Sequence, residues 1–272
     1  MTYQERLFLK RHEAYEKRFA RLFTRVLNDN YNELASLYLS GQDLDQVDST
    51  SMQLVYQTLY IDIMSKEGAL IWNEIVKPIT GEEVATKDVF DEVANILKPK
   101  NVSEMQPFWS RLMQGFLNTY IAQRVIEVMA TSKKRVVEAI ERYRNDGLTD
   151  KQVLMRIKAD TRARELRANT ISRTEATTAI SKSQILSLES SGLAWEKAWV
   201  AIRDDRTRFD HFLTDPNMWI GIKSNFLIGG FPMAYPGDST QGAPIGEIIN
   251  CRCLLRFRLA GRAYGFRPKT NA

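Results

Sequence analysis

Ile248-Ile249-Asn250-Cys251-Arg252-Cys253-Leu254-Leu255-Arg256-Phe257-Arg258-Leu259 is the stretch on which the reading of this chain turns. Its residues alternate. Arg252, Arg256 and Arg258 fall on one side, and Cys251, Cys253, Leu255 and Phe257 on the other, which predicts a half-buried β-strand. A strand would point both sulfurs to one face, spaced to share a metal. The chain has only two cysteines and two histidines, and His211 lies in the same quarter as both cysteines.

Working outward, the residues around this stretch are turn formers. Gly221, Gly229, Gly230, Pro232, Pro236, Gly237, Gly242, Pro244 and Gly246 crowd the segment after Gly192. Trp195 to Ile202 alternates and reads as a second strand. Gly229-Gly230 and Gly237 lack the following Lys and Ser/Thr of a phosphate-binding loop and read as turns. The expectation is a small sheet with long loops, packed on a helix from Arg162 to Ser190 that Gly192 closes.

Everything upstream reads as helix. Tyr3 to Tyr38 carries Leu7, Tyr15, Phe19, Leu22, Phe23, Val26, Leu27, Leu34 and Leu37 at spacings of three and four. A second helix is predicted from Ser49 to Val76, ended by Pro78 and Gly81. A short helix is expected over Thr86 to Leu97, with Thr86 as N-cap. Ser103 then caps a long helix, with Pro107 tolerated in its first turn, that runs through Met129 to Tyr143. Gly147 closes it, and Thr149 opens a short helix to Ile157. The fold class expected is α+β: a mostly helical N-terminal part with long helices, residues 1–160, followed by a small loop-rich α+β module, residues 161–272.

Composition narrows the function classes. The chain has 272 residues, 44% hydrophobic and 26% charged, which excludes whole-chain disorder. The net charge of +5 permits a polyanionic partner without requiring one. Basic residues gather on the first helix (Lys10, Arg11, Lys17, Arg18, Arg21, Arg25), at Lys133, Lys134 and Arg135, and from Arg156 to Arg173. Solvated helix faces and a nucleic-acid surface both account for them. No apolar run approaches the ~20 residues that span a bilayer. Met1-Thr2-Tyr3-Gln4-Glu5-Arg6 lacks the apolar core of a signal peptide, and two cysteines one residue apart are no secreted disulfide framework. A protein made and kept in a reducing cytosol, or in something assembled there, is expected.

His211, Cys251 and Cys253 would supply N and S ligands suited to tetrahedral zinc, with a fourth ligand from among Asp204, Asp205, Asp210 and Asp238. Two other readings stand beside this one. The cysteines act as small buried hydrophobes or a redox-sensitive pair with His211 in the core, or a cysteine acts as a nucleophile with His211 as base and Asp205 or Asp210 orienting it. A looser carboxylate cluster for metal-assisted phosphodiester hydrolysis would use Asp205, His211 and Asp238. Arg203, Arg206 and Arg208 alternate with Asp204, Asp205 and Asp210, which predicts salt-bridging around a turn. Arg173 and Glu175 are two apart on a helix, cannot face one another, and are expected to reach into the module.

Taken in order, Ile171-Ser172-Arg173-Thr174-Glu175-Ala176, Lys197-Ala198-Trp199, Asp205-Arg206-Thr207-Arg208 with His211, Pro236-Gly237-Asp238 and Asn250-Cys251-Arg252-Cys253 resemble a known family. The chain is similar there to the head-morphogenesis domain of tailed-phage minor head proteins related to the F protein of phage Mu. The resemblance covers the C-terminal module. It implies a virion protein in the capsid interior near the portal, made in the host cytoplasm and acting in procapsid assembly, DNA packaging or DNA delivery. Its implied partners are the portal protein, capsid and scaffold proteins, and double-stranded DNA, with no membrane. The matched positions Arg173, Glu175, Trp199, Asp205, Arg206, Arg208 and Asn250 are implied to be a structural core around His211, Cys251 and Cys253, not catalytic residues. One departure stands out: the loop after His211 reads Asp215-Pro216-Asn217 where the resemblance implies a glycine soon after an Asp.

Overall fold

The computed structural model describes residues 2–81 and 108–261. The helix expected over Thr86–Leu97 and the cap at Ser103 lie outside the described residues. Within them the fold is the expected one, long helices first and then a small sheet-containing module.

Helix α1 spans Tyr3–Leu39. It opens on a capping box: the Thr2 hydroxyl accepts the Glu5 N–H at 3.2 Å, and Glu5 accepts the Thr2 N–H at 2.8 Å. Its buried stripe is Phe8, His12, Phe19, Phe23, Leu27 and Leu34. Leu22, expected on that stripe, is exposed, because Phe23 next to it takes the inward direction.

Helix α2 spans Thr50–Ile71, and the helical run, expected to be ended by Pro78 and Gly81, passes Pro78 and ends at Gly81. It widens into a π-helical stretch, Trp72–Val76, and continues as a short helix α3, Lys77–Thr80. Proline lacks an N–H and crowds the carbonyl four residues back. The wider turn, in which the Lys77 N–H reaches the Trp72 carbonyl, precedes it directly. Gly81, at φ 78°, makes the actual stop.

Helix α4 spans Phe108–Asn145, α5 spans Asp150–Ala159 and α6 spans Arg162–Ser190. Gly147, at φ 83°, closes α4, with Leu148 N–H bonded to the Tyr143 carbonyl, a Schellman ending. Gln152 caps α5 by accepting from both the N–H and the hydroxyl of Thr149.

The described residues divide into two compact units. One draws on Met1–Tyr15, Tyr60–Phe116 and Arg173–Ala272, the other on Glu16–Leu59 and Leu117–Ser172. The divide cuts α1, α2, α4 and α6 within their lengths rather than at a loop. In the second unit Phe23 packs edge-on to Tyr56, ring centroids 5.1 Å apart. Each such buried aromatic contributes about 1.5–3 kcal/mol.

The first unit carries the sheet. Strand β1 (Trp195–Val200) lies between β2 (Ile220–Gly221) and β5 (Leu254–Leu259), all antiparallel. Glu196 faces Arg258 across β1 and β5 and accepts its Nε–H at 2.6 Å. A separate hairpin pairs β3 (Phe226–Ile228) with β4 (Phe231–Met233). Its two-residue turn is Gly229-Gly230, at φ 57° and 84°, the left-handed pair that a type I′ turn requires. Trp199, Trp195, Phe226, Met233 and Phe257 form the core with Ile185 and Leu188 of α6 and Trp72. Lys197 is fully buried in β1. Its ammonium donates to the Ala234 carbonyl at 2.6 Å and lies 5.5 Å from the Phe226 ring centroid, and burial lowers its pKa to about 8.

Candidate metal centre

The strand expected over Ile248–Leu259 begins only at Leu254. Ile248 ends a short helix, α8 (Ile245–Ile248), and Cys251 and Cys253 lie in irregular chain before β5. The reason is Asn250, whose φ of 58° turns the chain out of extended geometry. That turn is anchored on α6. The Asn250 N–H donates to the Thr174 hydroxyl at 3.0 Å, and its side-chain oxygen accepts from Arg173 at 3.1 Å. The Thr177 hydroxyl donates to the Cys251 carbonyl. Hydrogen bonds to a helix, not strand pleating, therefore direct both sulfurs inward.

His211 arrives from the opposite side on a one-turn helix, α7 (Phe209–Phe212). Arg208, just before it, donates to the Ile249 carbonyl and ties the two segments together. The imidazole packs edge-on to Trp199, centroids 5.6 Å apart at 80°. Its Nδ1 lies 3.3 Å from the Cys253 sulfur and 3.7 Å from the Cys251 sulfur. The three ligand atoms lie within 4.8 Å of one another, and all three residues are buried.

The donor set fits a metal ion. Bonds of 2.0–2.3 Å at tetrahedral angles place ligand atoms roughly 3.5–3.8 Å apart, close to the spacing seen here. Glu247 of α8 completes the arrangement, with its carboxylate 3.1 Å from His211 Nε2. With Nε2–H donating to that carboxylate, the neutral ring would turn its Nδ1 lone pair to the sulfurs, as a metal-ligating histidine requires. A cavity of about 10 Å³ adjoins the group, lined by Ile202, Arg206, Thr207, Arg208, Asn250 and Arg252 besides the three. That is room for about one water-sized sphere, enough for an ion.

A hydrogen bond from Cys253 holds the Cys251 thiol well below the usual thiol range, with His211 adding to the effect against the opposing burial. The same bond and burial push Cys253 well up. Burial by itself lowers His211, but the hydrogen bond and charge of Cys251 outweigh it and raise its pKa. No disulfide joins the cysteines.

The proposed fourth ligands lie elsewhere. Asp238 is fully buried but already occupied. One oxygen accepts from the Ala234 N–H at 2.8 Å, and the other accepts from the Thr240 N–H and hydroxyl at 2.9 and 2.6 Å. Asp205 is exposed and outside the group. Asp204 pairs with Arg252 at 2.7 Å and Arg206 at 3.9 Å, the salt-bridged turn that alternating charge predicts. Among the described residues the metal-ligating group is His211, Cys251 and Cys253 alone, so its fourth position would fall to a water or another small ligand.

Of the other motif residues, Arg173, Thr174 and Asn250 meet in one hydrogen-bonded knot, and Glu175 accepts from Tyr60 of α2 at 2.6 Å. Gly237, at φ 87°, abuts α6: a Cβ there would come 3.2 Å from the Thr178 Cα. Asp215-Pro216-Asn217 forms a turn of its own, with the Asp215 carboxylate accepting the Asn217 N–H at 2.8 Å. Glu247 and His12 escaped sequence reasoning. His12 Nε2 lies 2.8 Å from the Thr177 hydroxyl, behind the Cys251 carbonyl. The only local hint for Glu247 is Pro244, which stands at the helix start and presets the turn of α8. Comparisons with protein-family models, curated proteins and solved structures find no match to this chain.

Proposed function

We propose that the chain is a minor head protein of a tailed bacteriophage, held in the capsid interior near the portal and acting in procapsid assembly, DNA packaging or DNA delivery. In this reading the long N-terminal helices dock on the portal or capsid. The C-terminal module is a structural element whose His211, Cys251 and Cys253 hold a zinc ion, with Glu247 orienting the histidine. When bound, zinc supplies a cross-link between α7 and the chain entering β5, and no catalysis.

The observation that carries the reading is the ordered run of motifs from Ile171 to Cys253, whose members Arg173, Thr174, Asn250, Cys251, Cys253 and His211 gather at one place. Lys17, Arg21 and Arg25 are exposed at four-residue spacing on α1, a row able to meet DNA phosphates. The metal-dependent hydrolase or nuclease reading has less support, since Asp238 is engaged and Asp205 is outside the group.

The test is co-sedimentation with a portal protein of the same phage. Movement with the large portal ring is expected. Retention in the small fractions at low salt would rule out portal docking. DNA retention, where seen, is expected to vanish in high salt, as phosphate contacts require.

A further inference from the structure

The unit formed by Glu16–Leu59 and Leu117–Ser172 has a cavity of its own. It measures about 150 Å³ and is lined by Tyr31 of α1, Arg135, Arg142 and Tyr143 of α4, Asp160, and Arg164 of α6. By the measure in which one water takes ~10–15 Å³, several waters or one small polyatomic anion fit.

Its charges are not balanced. Arg164 is only 3% exposed, yet it donates to neutral oxygens: the Ile157 and Lys158 carbonyls at 2.8 and 3.2 Å, and the Asn28 side chain. Arg167, behind Tyr31, likewise donates to the Tyr31 and Ser132 hydroxyls at 3.0 and 2.8 Å and to the Val128 carbonyl at 2.8 Å. Arg135 and Arg142 are exposed at the rim. None of the four forms an ion pair with a described residue. Among the residues that line the cavity Asp160 is the one carboxylate, against the three guanidiniums of Arg135, Arg142 and Arg164. Burial lowers the pKa of both Arg164 and Arg167, and the opposing influence of Asp160 and Tyr31 on the first and of Tyr31 on the second does not cancel it.

The hydrogen-bonding pattern favours an anion as well. The Tyr31 oxygen accepts from Arg167, and among the described residues none accepts its own hydrogen, which can donate to an anion. Tyr143 steadies the Arg142 guanidinium 5.0 Å from its ring centroid.

We propose that this cavity binds a phosphate group, with Arg135, Arg142 and the Tyr31 hydroxyl donating to its oxygens while its charge offsets Arg164 and Arg167. Arginine forks match phosphate geometry. A free phosphate and a nucleic-acid backbone offer the same chemistry, and the test separates them.

The full chain is titrated with inorganic phosphate against chloride at equal ionic strength, and binding is followed calorimetrically and by melting temperature. Phosphate-specific binding is expected, weakened at least ~10-fold in Arg135→Gln/Arg142→Gln and about 3- to 10-fold in Tyr31→Phe. Both glutamines replace exposed helical residues, so the fold is kept. A short DNA duplex serves as the second probe. Competition with phosphate, lost in the double variant, assigns the site to a nucleic-acid backbone. Phosphate binding with duplex retention equal in wild type and variant assigns it to a free phosphate. No preference for phosphate over chloride, or equal binding by wild type and double variant, would overturn the proposal.

Discussion

The stretch of α1 around His12 and the one-turn helix around His211 bury the chain's two histidines equally, each 1% exposed, and give them opposite properties. His12 meets a neutral hydroxyl, and its charged neighbours are Arg173 and Arg252. Burial first, and those arginines next, lower its pKa to about 4. His211 meets two sulfurs and the Glu247 carboxylate, and its pKa is raised despite burial. Burial alone therefore says little about a histidine, and the sign of its neighbours decides. Thr177 stands between the two regions. Thr177 receives His12 on one side and donates to the Cys251 carbonyl on the other. Its single hydrogen goes to a carbonyl, so His12 Nε2 must donate, which requires only the neutral ring.

The largest effect is expected on the His211 side. Chelation, or Cys251→Ser/Cys253→Ser, should cost on the order of 5 kcal/mol and lower the melting temperature by roughly 10–20 °C, read by calorimetry. An unchanged melting temperature would remove the ion from the account.

The next effect belongs to His12 and appears on acidification. Its folded pKa of about 4 lies below the ordinary 6.5, so the unfolded chain binds the proton more readily. Stability from this group is complete above pH 6.5 and is lost as the pH falls towards 4, by about 3 kcal/mol. His12→Gln should flatten that part of the stability–pH curve measured by denaturant titration. A variant curve parallel to that of wild type would contradict it.

Smaller again is Glu247→Ala. Losing the carboxylate that orients His211 should weaken metal affinity about 10- to 100-fold in competition with a chromophoric chelator. Equal affinities would show that Nε2 needs no partner. The smallest is Thr177→Val, which removes the link between the two regions at about 1–2 kcal/mol of stability. Its effect should couple with that of His12→Gln in a double-mutant cycle, whereas additivity would make the link incidental.

The helices could be read from the chain because their stripes recur over many turns and their ends carry Gly81, Gly147, Thr149 and Gly192. The His/Cys/Cys group could be read from rarity alone, but by a false route. Strand periodicity predicted the facing sulfurs, whereas Asn250 in a left-handed conformation, held by Arg173 and Thr174, produces them. The partners missed are set by tertiary packing. Glu247 reaches His211 across 36 positions and His12 reaches Thr177 across 165, separations for which no local pattern exists. The choice of Asp205 or Asp238 as fourth ligand failed for a related reason: a carboxylate's partners, such as the Ala234 and Thr240 N–H groups on Asp238, are backbone groups that carry no residue signature.

The most direct test of the central claim is the metal content of the purified full chain by elemental analysis, beside that of Cys251→Ser/Cys253→Ser. The account predicts one zinc per chain in the wild type and none in the variant. Wild-type protein free of metal, or a variant that retains it, would contradict the assignment of His211, Cys251 and Cys253 as its ligands.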